Sequence, residues 1–452
     1  MSVQHFCEDF FLAAWPRNFG ATGLSVPSPA DTQAQLTSGF PLLSLAEIHQ
    51  HYQSVVRPKV TALYIIKLII PTFDNPIFRY CIFKPMAIRA SFYKRVFHFS
   101  FDARTSRGSM KEKTSWFIKV WDTAAPEVTG IGECGPLPDL SHEHTPELQE
   151  KIENFISFFN SQSIGLAPTA NLQELYKAIT QTLGADVIKY PSLIFAFETA
   201  LLDLMNGGKK IIFKNSFMEG TSIPINGLIW MGGLDFQLQQ IELKIRDGFR
   251  CVKLKVGGIN FEKECDVLQY IRRKYFRDSI TIRLDANGAF KPNDVMHKLE
   301  GLAKFDVHSI EQPLKPGSPE MEELCRTSPI PIALDEELIG VTDTTEKENL
   351  IRRLKPAYII LKPSLHGGLF ACAEWIQLAE KHKVGWWITS ALESNIGLNA
   401  IAQFTAQYPT QLPQGLGTGM LYTDNIESPL VVDKGFLHFE KSLSWGAIEN
   451  IG

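Results

Sequence analysis

Cys251-Val-Lys-Leu-Lys-Val256 is the stretch on which the reading of this chain turns. It is a short run rich in β-branched and apolar residues, the composition of a strand. Lys253 and Lys255 stand two residues apart in it, so on a strand both side chains point to one face. Four similar runs follow in order. They are Arg283-Leu-Asp-Ala-Asn287 with Asp285, Ser309-Ile-Glu-Gln-Pro313 with Glu311, Ala333-Leu-Asp-Glu-Glu337 with Asp335, and Ile360-Leu-Lys-Pro-Ser364 with Lys362. Each polar landmark ends its run, and neighbours are separated by roughly one strand–helix unit of about 30 residues. A parallel barrel brings strand ends together at one rim, which would gather three carboxylates with lysines on either side.

The rest of the chain supports that layout. Strands are expected at Ile223–Trp230, Cys251–Val256, Thr281–Ala286, His308–Pro313, Ile330–Asp335, Ala357–Lys362, Gly385–Ser390 and Gln414–Gly417. Helical patterns lie between them, as at Phe236–Asp247, Phe261–Tyr275, Gly367–Lys381 and Ile396–Gln407. Eight strands alternating with helices predict an α/β fold of the (β/α)8 type. Ahead of it, Met86 to Asp122 reads as strand, Gly-containing loop and strand, and Gly130-Ile-Gly-Glu-Cys-Gly-Pro-Leu-Pro138 as a turn-rich loop. Helices are expected at about Pro146–Asn160, Asn171–Leu183 and Pro191–Met205. The expected organisation is therefore an α+β capping domain over 86–205, a catalytic barrel over 206–424, and a segment over 425–452 that returns to the cap. Residues 1–85 are rich in Pro, Ser, Thr, Gln and His with weak periodicity. They read as a dispensable extension, possibly non-native upstream sequence, and a protein starting at Met86 is expected to fold and work.

Composition narrows the function classes. The chain has 452 residues, 44% hydrophobic and 21% charged, with a formal net charge of −4, close to an ordinary globular protein. No basic stripe suggests nucleic acid, and no apolar run is long enough to span a bilayer. Seven cysteines, an odd number without a C-x-x-C pair, argue against a disulfide framework and for a reducing, cytoplasmic setting. The oligomeric state stays open.

The strand-end residues define a chemistry. Two amines held close together repel each other's protons, so one pKa falls from about 10.4 toward the range of about 7–8 that suits a general base. A lone Lys-x-Lys can equally be a surface pair on an edge strand, and a lone strand-end Asp is often a helix cap. Three acids in barrel order supply hard oxygen ligands that suit Mg²⁺. Asn287 and Glu336 could orient those ligands. Lys362, across the barrel, can face the same reacting carbon from the opposite side. Ser390, in Thr389-Ser-Ala-Leu-Glu393, and nearby backbone N–H groups can hold a substrate carboxylate; an ordinary helix cap reads the same residues equally well. The task these pieces fit is removal of the α-proton of a carboxylate by lysine while a metal stabilises the enediolate.

These motifs resemble the enolase superfamily, over residues 86–452, and Lys-x-Lys with a lysine on strand six is similar to its muconate lactonizing subgroup. Within that subgroup the chain most resembles the o-succinylbenzoate synthases, on Ala103-Arg-Thr-Ser-Arg-Gly108, Gly132-Glu-Cys-Gly-Pro-Leu-Pro138, Arg283-Leu-Asp285 and Gly415-Leu-Gly-Thr-Gly-Met-Leu-Tyr-Thr-Asp424. The resemblance implies a modified (β/α)7β barrel with a cap, and a lyase of menaquinone biosynthesis acting on a small-molecule carboxylate. Asp285, Glu311 and Asp335 would hold Mg²⁺, with Mn²⁺ as a possible substitute. Lys255 would be the base, Lys253 would lower its pKa, and Lys362 would stabilise the intermediate. Arg104, Ser106, Asn287, Ser390, Gly417 and Gly419 would contact substrate. A racemase or epimerase of the same superfamily is the alternative; a dipeptide epimerase typically carries Asp-x-Asp where this chain has Gly417-Thr-Gly419.

Overall fold

Strands and helices alternate from residue 223 onward because the apolar pattern alternates between periods of two and of about 3.6. The computed structural model describes residues 87–105, 108–162, 164, 166, 170–258, 260–276, 279–409 and 412–448. The expected extension over 1–85 lies outside the described residues. Strands β1 (Ile88–Thr105), β2 (Gly108–Asp122) and β3 (Ala125–Cys134) form an antiparallel sheet in that order. Helices α1 (Leu148–Ser161), α2 (Leu172–Leu183) and α3 (Pro191–Met205) follow. Helix α3 starts on a proline at its first turn and is buried from Ser192 through Asp203. It is apolar nearly all round because other elements cover it on more than one side. Gly130 and Gly132 let β3 press on it: a Cβ at either would collide with the α3 backbone.

A seven-stranded parallel sheet follows. Its strands are β5 (Gly227–Ile229), β6 (Cys251–Lys255), β7 (Thr281–Asp285), β8 (Ser309–Glu311), β9 (Ile332–Leu334), β10 (Tyr358–Leu361) and β11 (Gly385–Ile388), arranged in sequence order. The connecting helices are α4 (Leu234–Arg246), α5 (Phe261–Lys274), α6 (Val295–Ala303), α7 (Met321–Thr327), α8 (Thr344–Leu354) and α9 (Gly368–Lys381), with α10 (Asn395–Thr405) after β11. Alternate strand residues have different fates. Val252, Leu254, Ile282, Leu284, Ile310, Leu334, Ile359 and Leu361 join the large apolar core that includes the helices. The residues between them face the other way. Ala333, Ile360 and Trp387 form a small apolar floor there, and the polar strand ends lie at the carboxyl edge. The sheet curls, so that Gln414 bridges to Ile225 ahead of β5 and Gly415 bridges to Thr389 after β11.

Two expectations need correction. Ile223–Trp230 is not one strand. Strand β4 (Ile223–Pro224) pairs with β13 (Phe436–Phe439), the second strand of a hairpin with β12 (Leu430–Asp433), whereas Gly227–Ile229 joins the parallel sheet. Pro224 has no N–H to extend a ladder, and its carbonyl instead accepts from the Gln414 backbone N–H at 2.7 Å. The strand expected over Gln414–Gly417 is reduced to the two bridges. Its approach to β11 is so close that a side chain at Gly415 would overlap Thr389. The final segment reaches two places. Its hairpin pairs with β4, while Ile426 and Ile448 share an apolar cluster with Phe97, Phe99 and Phe117 of β1 and β2.

The N-terminal module and the parallel sheet are joined through two buried carboxylates, each bound at the start of a sheet-flanking helix. Glu133, on β3, accepts from the Ser394 backbone N–H at 2.9 Å, the Ser394 hydroxyl at 2.6 Å and the Gly397 N–H at 3.0 Å, at the head of α10. Glu198, on α3, accepts from the backbone N–H groups of Leu369 and Phe370 at the head of α9. The first-turn N–H groups of a helix have no partner within the helix and favour negative charge. Both bonds span sequence separations that no local pattern encodes.

Candidate active site

The parallel register sets the site. Lys255 lies beside Asp285, and Asp285 beside Glu311, on adjacent strands. Asp335 follows β9 and Lys362 follows β10. The Lys253 ammonium bonds Asp285 at 2.8 Å and Glu311 at 2.5 Å. Lys255 bonds the same oxygen of Asp285 at 2.6 Å and the Asn287 side-chain oxygen at 2.8 Å. Lys362 pairs with Asp335. Asn287 also donates to Glu336 at 3.0 Å, and its backbone N–H donates to Asp285 at 3.0 Å. Asn287 therefore fixes both the acid and the lysine beside it.

Two residues here hold backbone conformations that side chains rarely adopt: Asn287 at φ 45° and Gln312 at φ 37°. Such strain persists where surrounding contacts enforce it, often at functional sites. Gln312 shows the enforcement. Its side-chain oxygen accepts from the backbone N–H groups of Asp335 at 3.2 Å and Glu337 at 3.1 Å. Its amide donates to the Leu314 carbonyl at 2.9 Å and to Glu337 at 3.1 Å. Gln312 thus fixes the chain just where Asp335 leaves its strand.

The electrostatics separate the two lysines. Burial works against both ammonium groups. At Lys253 it is outweighed by Asp285, Glu311 and Asp335, and the pKa rises above the ordinary lysine value. At Lys255 burial, reinforced by the charge of Lys253, prevails over the attraction of Asp285, and the pKa falls. Burial alone pushes the Asp285 carboxyl up, but the two lysines hold it well below the usual carboxylate range. Glu311 goes the other way, raised by burial and by the charge of Asp285. Lys362 is raised: burial opposes its charge, and Asp335 more than compensates. The site therefore contains one lysine poised to lose a proton and two held as cations.

Asp285, Glu311 and Asp335 offer hard oxygen donors of the kind a divalent cation takes. Glu311 Oε1 and Asp335 Oδ1 are buried with no hydrogen-bond partner. A buried carboxylate oxygen without a partner is costly, and a divalent cation with a preference for hard oxygen would satisfy both. No three His, Cys, Asp or Glu side chains among the described residues are already gathered as a metal cage. Lys253 stands between Asp285 and Glu311 instead. The donor set fits a divalent cation, and the Lys253 ammonium would have to give way partly to admit one.

A cavity opens directly above these groups. Its wall includes Lys253, Lys255, Asn287 and Lys362 from the sheet, and Ser390, Gly417 and Thr418 from the last two sheet crossings. Two segments of the N-terminal module close its mouth, the start of β2 at 108–110 and the loop at 137–140. Asp285, Glu311 and Asp335 lie beneath it, buried to 2% exposure or less. Among the expected substrate contacts, Asn287, Ser390 and Gly417 thus line the cavity. Gly419 does not; it packs against Asn395 and Leu398 of α10. Arg104 belongs to β1, but its side chain and the whole of Ser106 lie outside the described residues. Asn226 is among the lining residues that escaped the sequence reading. Asn226 is buried, lines the cavity, and its side-chain oxygen has no partner. The signal was present, since Asn226, Leu228 and Trp230 alternate in one run and all three line the cavity.

Comparison with known proteins agrees with this geometry. The enolase C-terminal domain-like family matches residues 238–444. The o-succinylbenzoate synthase of Desulfotalea psychrophila is 41% identical over 351 residues, covering 74% of this chain and 94% of that protein. The crystal structure of MenC from the same organism superimposes with a TM-score of 0.68 at 38% identity, over 78% of this chain and 99% of that one. A dipeptide epimerase from Enterococcus faecalis, solved with Mg and the dipeptide L-Leu-L-Tyr, has a TM-score of 0.66 at 20% identity, over 78% of this chain and 97% of that one, and shares the fold. Five motifs in barrel order, the cavity above them and a relative matched over nearly its full length agree: the chain belongs to the enolase superfamily, within its family of o-succinylbenzoate synthases, which are lyases.

Proposed function

We propose that this protein dehydrates 2-succinyl-6-hydroxy-2,4-cyclohexadiene-1-carboxylate to o-succinylbenzoate in menaquinone biosynthesis. The observation that carries this is that Lys255 and Lys362 line one cavity directly above Asp285, Glu311 and Asp335, in a chain 41% identical to a named o-succinylbenzoate synthase. Lys255 is the base. Its neutral amine takes the α-proton, and the electrons of the C–H bond move into the carboxylate to give an enediolate. As those electrons return, the C–O bond to the ring hydroxyl breaks. The Lys255 ammonium gives its proton to the departing hydroxide, which leaves as water. The ring becomes aromatic, so the demanding step is the first proton transfer. Lys253 keeps a positive charge beside Lys255 and lowers its pKa. Lys362 offers a cation to the opposite face of the planar intermediate.

Asp285, Glu311 and Asp335 are proposed to hold Mg²⁺, with Mn²⁺ as a substitute. The metal, when bound, supplies positive charge to the substrate carboxylate and so lowers the cost of the developing enediolate. The start of β2 at 108–110 and the loop at 137–140 exclude water from the cavity. Ser390, Gly417 and Asn226 are proposed substrate contacts, joined by Arg104 and Ser106. Gly417-Thr-Gly419 gives a wall without paired acids, which suits a succinyl chain better than the ammonium of a dipeptide.

The same reading treats the curled sheet with its bridges at 414–415 as a (β/α)7β barrel over 206–424, capped by residues 86–205. No helix among the described residues is long and apolar enough to cross a membrane, and Cys134, Cys251, Cys265, Cys325 and Cys372 are free. Both facts support a cytoplasmic enzyme. The test is turnover of the cyclohexadiene by purified protein, followed as loss of diene absorbance. A rate abolished by chelator and restored by Mg²⁺ is the expected result. Folded, Mg²⁺-loaded protein that leaves the diene untouched would reject this substrate.

A further inference from the structure

Glu393 takes no part in the chemistry above, yet it is a fully buried acid held between two loops of the cavity. One of its oxygens accepts from the Ser364 hydroxyl. The other accepts from the Ala391 backbone N–H at 2.7 Å. Each partner matters for its position. Ser364 sits in the turn that follows β10 and carries Lys362. That turn closes on itself: Leu365 and His366 donate backbone N–H groups to the Lys362 carbonyl at 2.8 and 2.9 Å, and the Lys362 N–H donates to the His366 ring at 3.1 Å. Ala391 lies between Ser390 and Leu392, and all three line the cavity beside Lys362.

The second loop is strained. Leu392 has φ 62°, a left-handed conformation that a leucine rarely adopts and that surrounding contacts must enforce. Several bonds enforce it. The Leu392 N–H donates to the Ser390 hydroxyl at 3.1 Å, that hydroxyl pairs with Thr418 at 2.6 Å, and the Leu392 carbonyl accepts from the Tyr422 hydroxyl at 2.6 Å. The Glu393 carboxylate adds a link from this loop to the lysine turn, through the Ala391 N–H on one side and the Ser364 hydroxyl on the other. A backbone pinned from two sides, one of them the turn of a reactive lysine, has the form of a positioning device.

We infer that Glu393 is a positioning residue that locks the Lys362 turn to the cavity-lining backbone at 390–392. The inference rests on the proposed dehydration, because it assigns Lys362 a role in that reaction. Glu393→Met fills similar volume and removes both hydrogen bonds. Glu393→Gln can keep both, with its oxygen toward the Ala391 N–H and its amide toward the Ser364 hydroxyl. Ser364→Ala removes one. A displacement of about 1 Å at a reacting group can cost about 100-fold in rate, so kcat should fall by about 30- to 100-fold in Glu393→Met and less in Ser364→Ala. KM should change by less than about threefold, and Glu393→Gln should recover most of the loss.

Amide hydrogen exchange, read on peptides covering 362–366 and 388–394, tests the lock without any substrate. Faster exchange in both segments of Glu393→Met, with wild-type exchange in Glu393→Gln, is the expected result. Unchanged exchange in both segments, or kcat within about twofold of wild type in Glu393→Met and Ser364→Ala, would overturn the inference. So would a Glu393→Gln variant as impaired as Glu393→Met. If Glu393→Met does not fold, Ser364→Ala decides between the outcomes. A wild-type protein that fails to turn over the diene would count against the proposed reaction, and the exchange pattern would still judge the lock.

Discussion

Replacing Lys253 by methionine is the most direct probe of the lysine pair. Both ammonium groups bond one oxygen of Asp285, at 2.8 and 2.6 Å, so their nitrogens are at most about 5.4 Å apart. Two unit charges at that distance repel by about 3 kcal/mol at an effective dielectric constant of about 20. That corresponds to about two units in the pKa of Lys255. Removing Lys253 also leaves Asp285 and Glu311 with less positive charge, which acts on Lys255 in the same direction. In the proposed role Lys255 acts as a neutral amine, so activity rises as pH passes through its pKa. The rising limb of kcat/KM in Lys253→Met is therefore expected about two pH units higher than in wild type, with much of the lost rate recovered at alkaline pH. Lys253→Arg keeps the charge and should leave the limb in place. The assay is kcat/KM for diene loss measured across the limb at constant ionic strength and saturating Mg²⁺. A limb within about half a unit of wild type in Lys253→Met, or displaced to lower pH, would refute the claim that Lys253 sets the basicity of its neighbour.

Three further outcomes follow from the same structure. Lys255→Ala should fold and melt like wild type yet lose at least about 10²- to 10⁴-fold in kcat, the usual share of a general base; near-normal turnover would remove Lys255 from that role. Asn226→Ala deletes an oxygen with no partner in the free protein, so stability should hold while KM rises about 3- to 10-fold for the loss of one substrate hydrogen bond. An unchanged KM with lowered stability would make Asn226 structural instead. Glu143 accepts from the Ser192 N–H at 3.0 Å, and burial pushes its carboxyl up from 4.5 to about 8. Its folded pKa lies above its unfolded one, so the stability it contributes is complete below pH 4.5 and is lost as pH rises through 8. Glu143→Gln should flatten the stability profile in that window by up to about 1.4 kcal/mol per pH unit. Urea unfolding at the two ends of the window gives the comparison, and identical slopes in the two proteins would contradict the assignment.

The central strands were legible because each joins a local apolar run to a polar end residue, and a parallel register converts that order into a shared rim. Lys253, Lys255, Asp285, Glu311, Asp335 and Lys362 all meet there for this reason. The places where the reading failed depend on partners far away in the chain. Ile223–Trp230 looks like one strand by composition, and only the pairing of Pro224 with the C-terminal hairpin divides it. Gly417 and Gly419 look equivalent in Gly417-Thr-Gly419, but one lines the cavity and the other meets α10. Gln312 reads as an ordinary residue after Glu311, and three of its four side-chain hydrogen bonds appear only when the residues that follow β9 lie alongside. Asn226 was hidden for a different reason. Its alternation with Leu228 and Trp230 was visible, but an amide inside an apolar run carries no label of what it faces.

The seating of Glu133 and Glu198 in the heads of α10 and α9 has a consequence for evolution and engineering. A cap held at two separate helix starts is braced against swinging about a single hinge, and its docking does not depend on the short loops beside the cavity mouth. Those loops can then diverge in length and composition without disturbing how the two layers fit. Exchange of a whole cap between related enzymes is a different matter. A donor cap lacking an acid at either point would leave a helix start buried without its acceptor, and the chimera would lose its docking before its loops were tried. Graft boundaries for altering substrate choice therefore belong inside β3 and α3, on the loop side of the two acids.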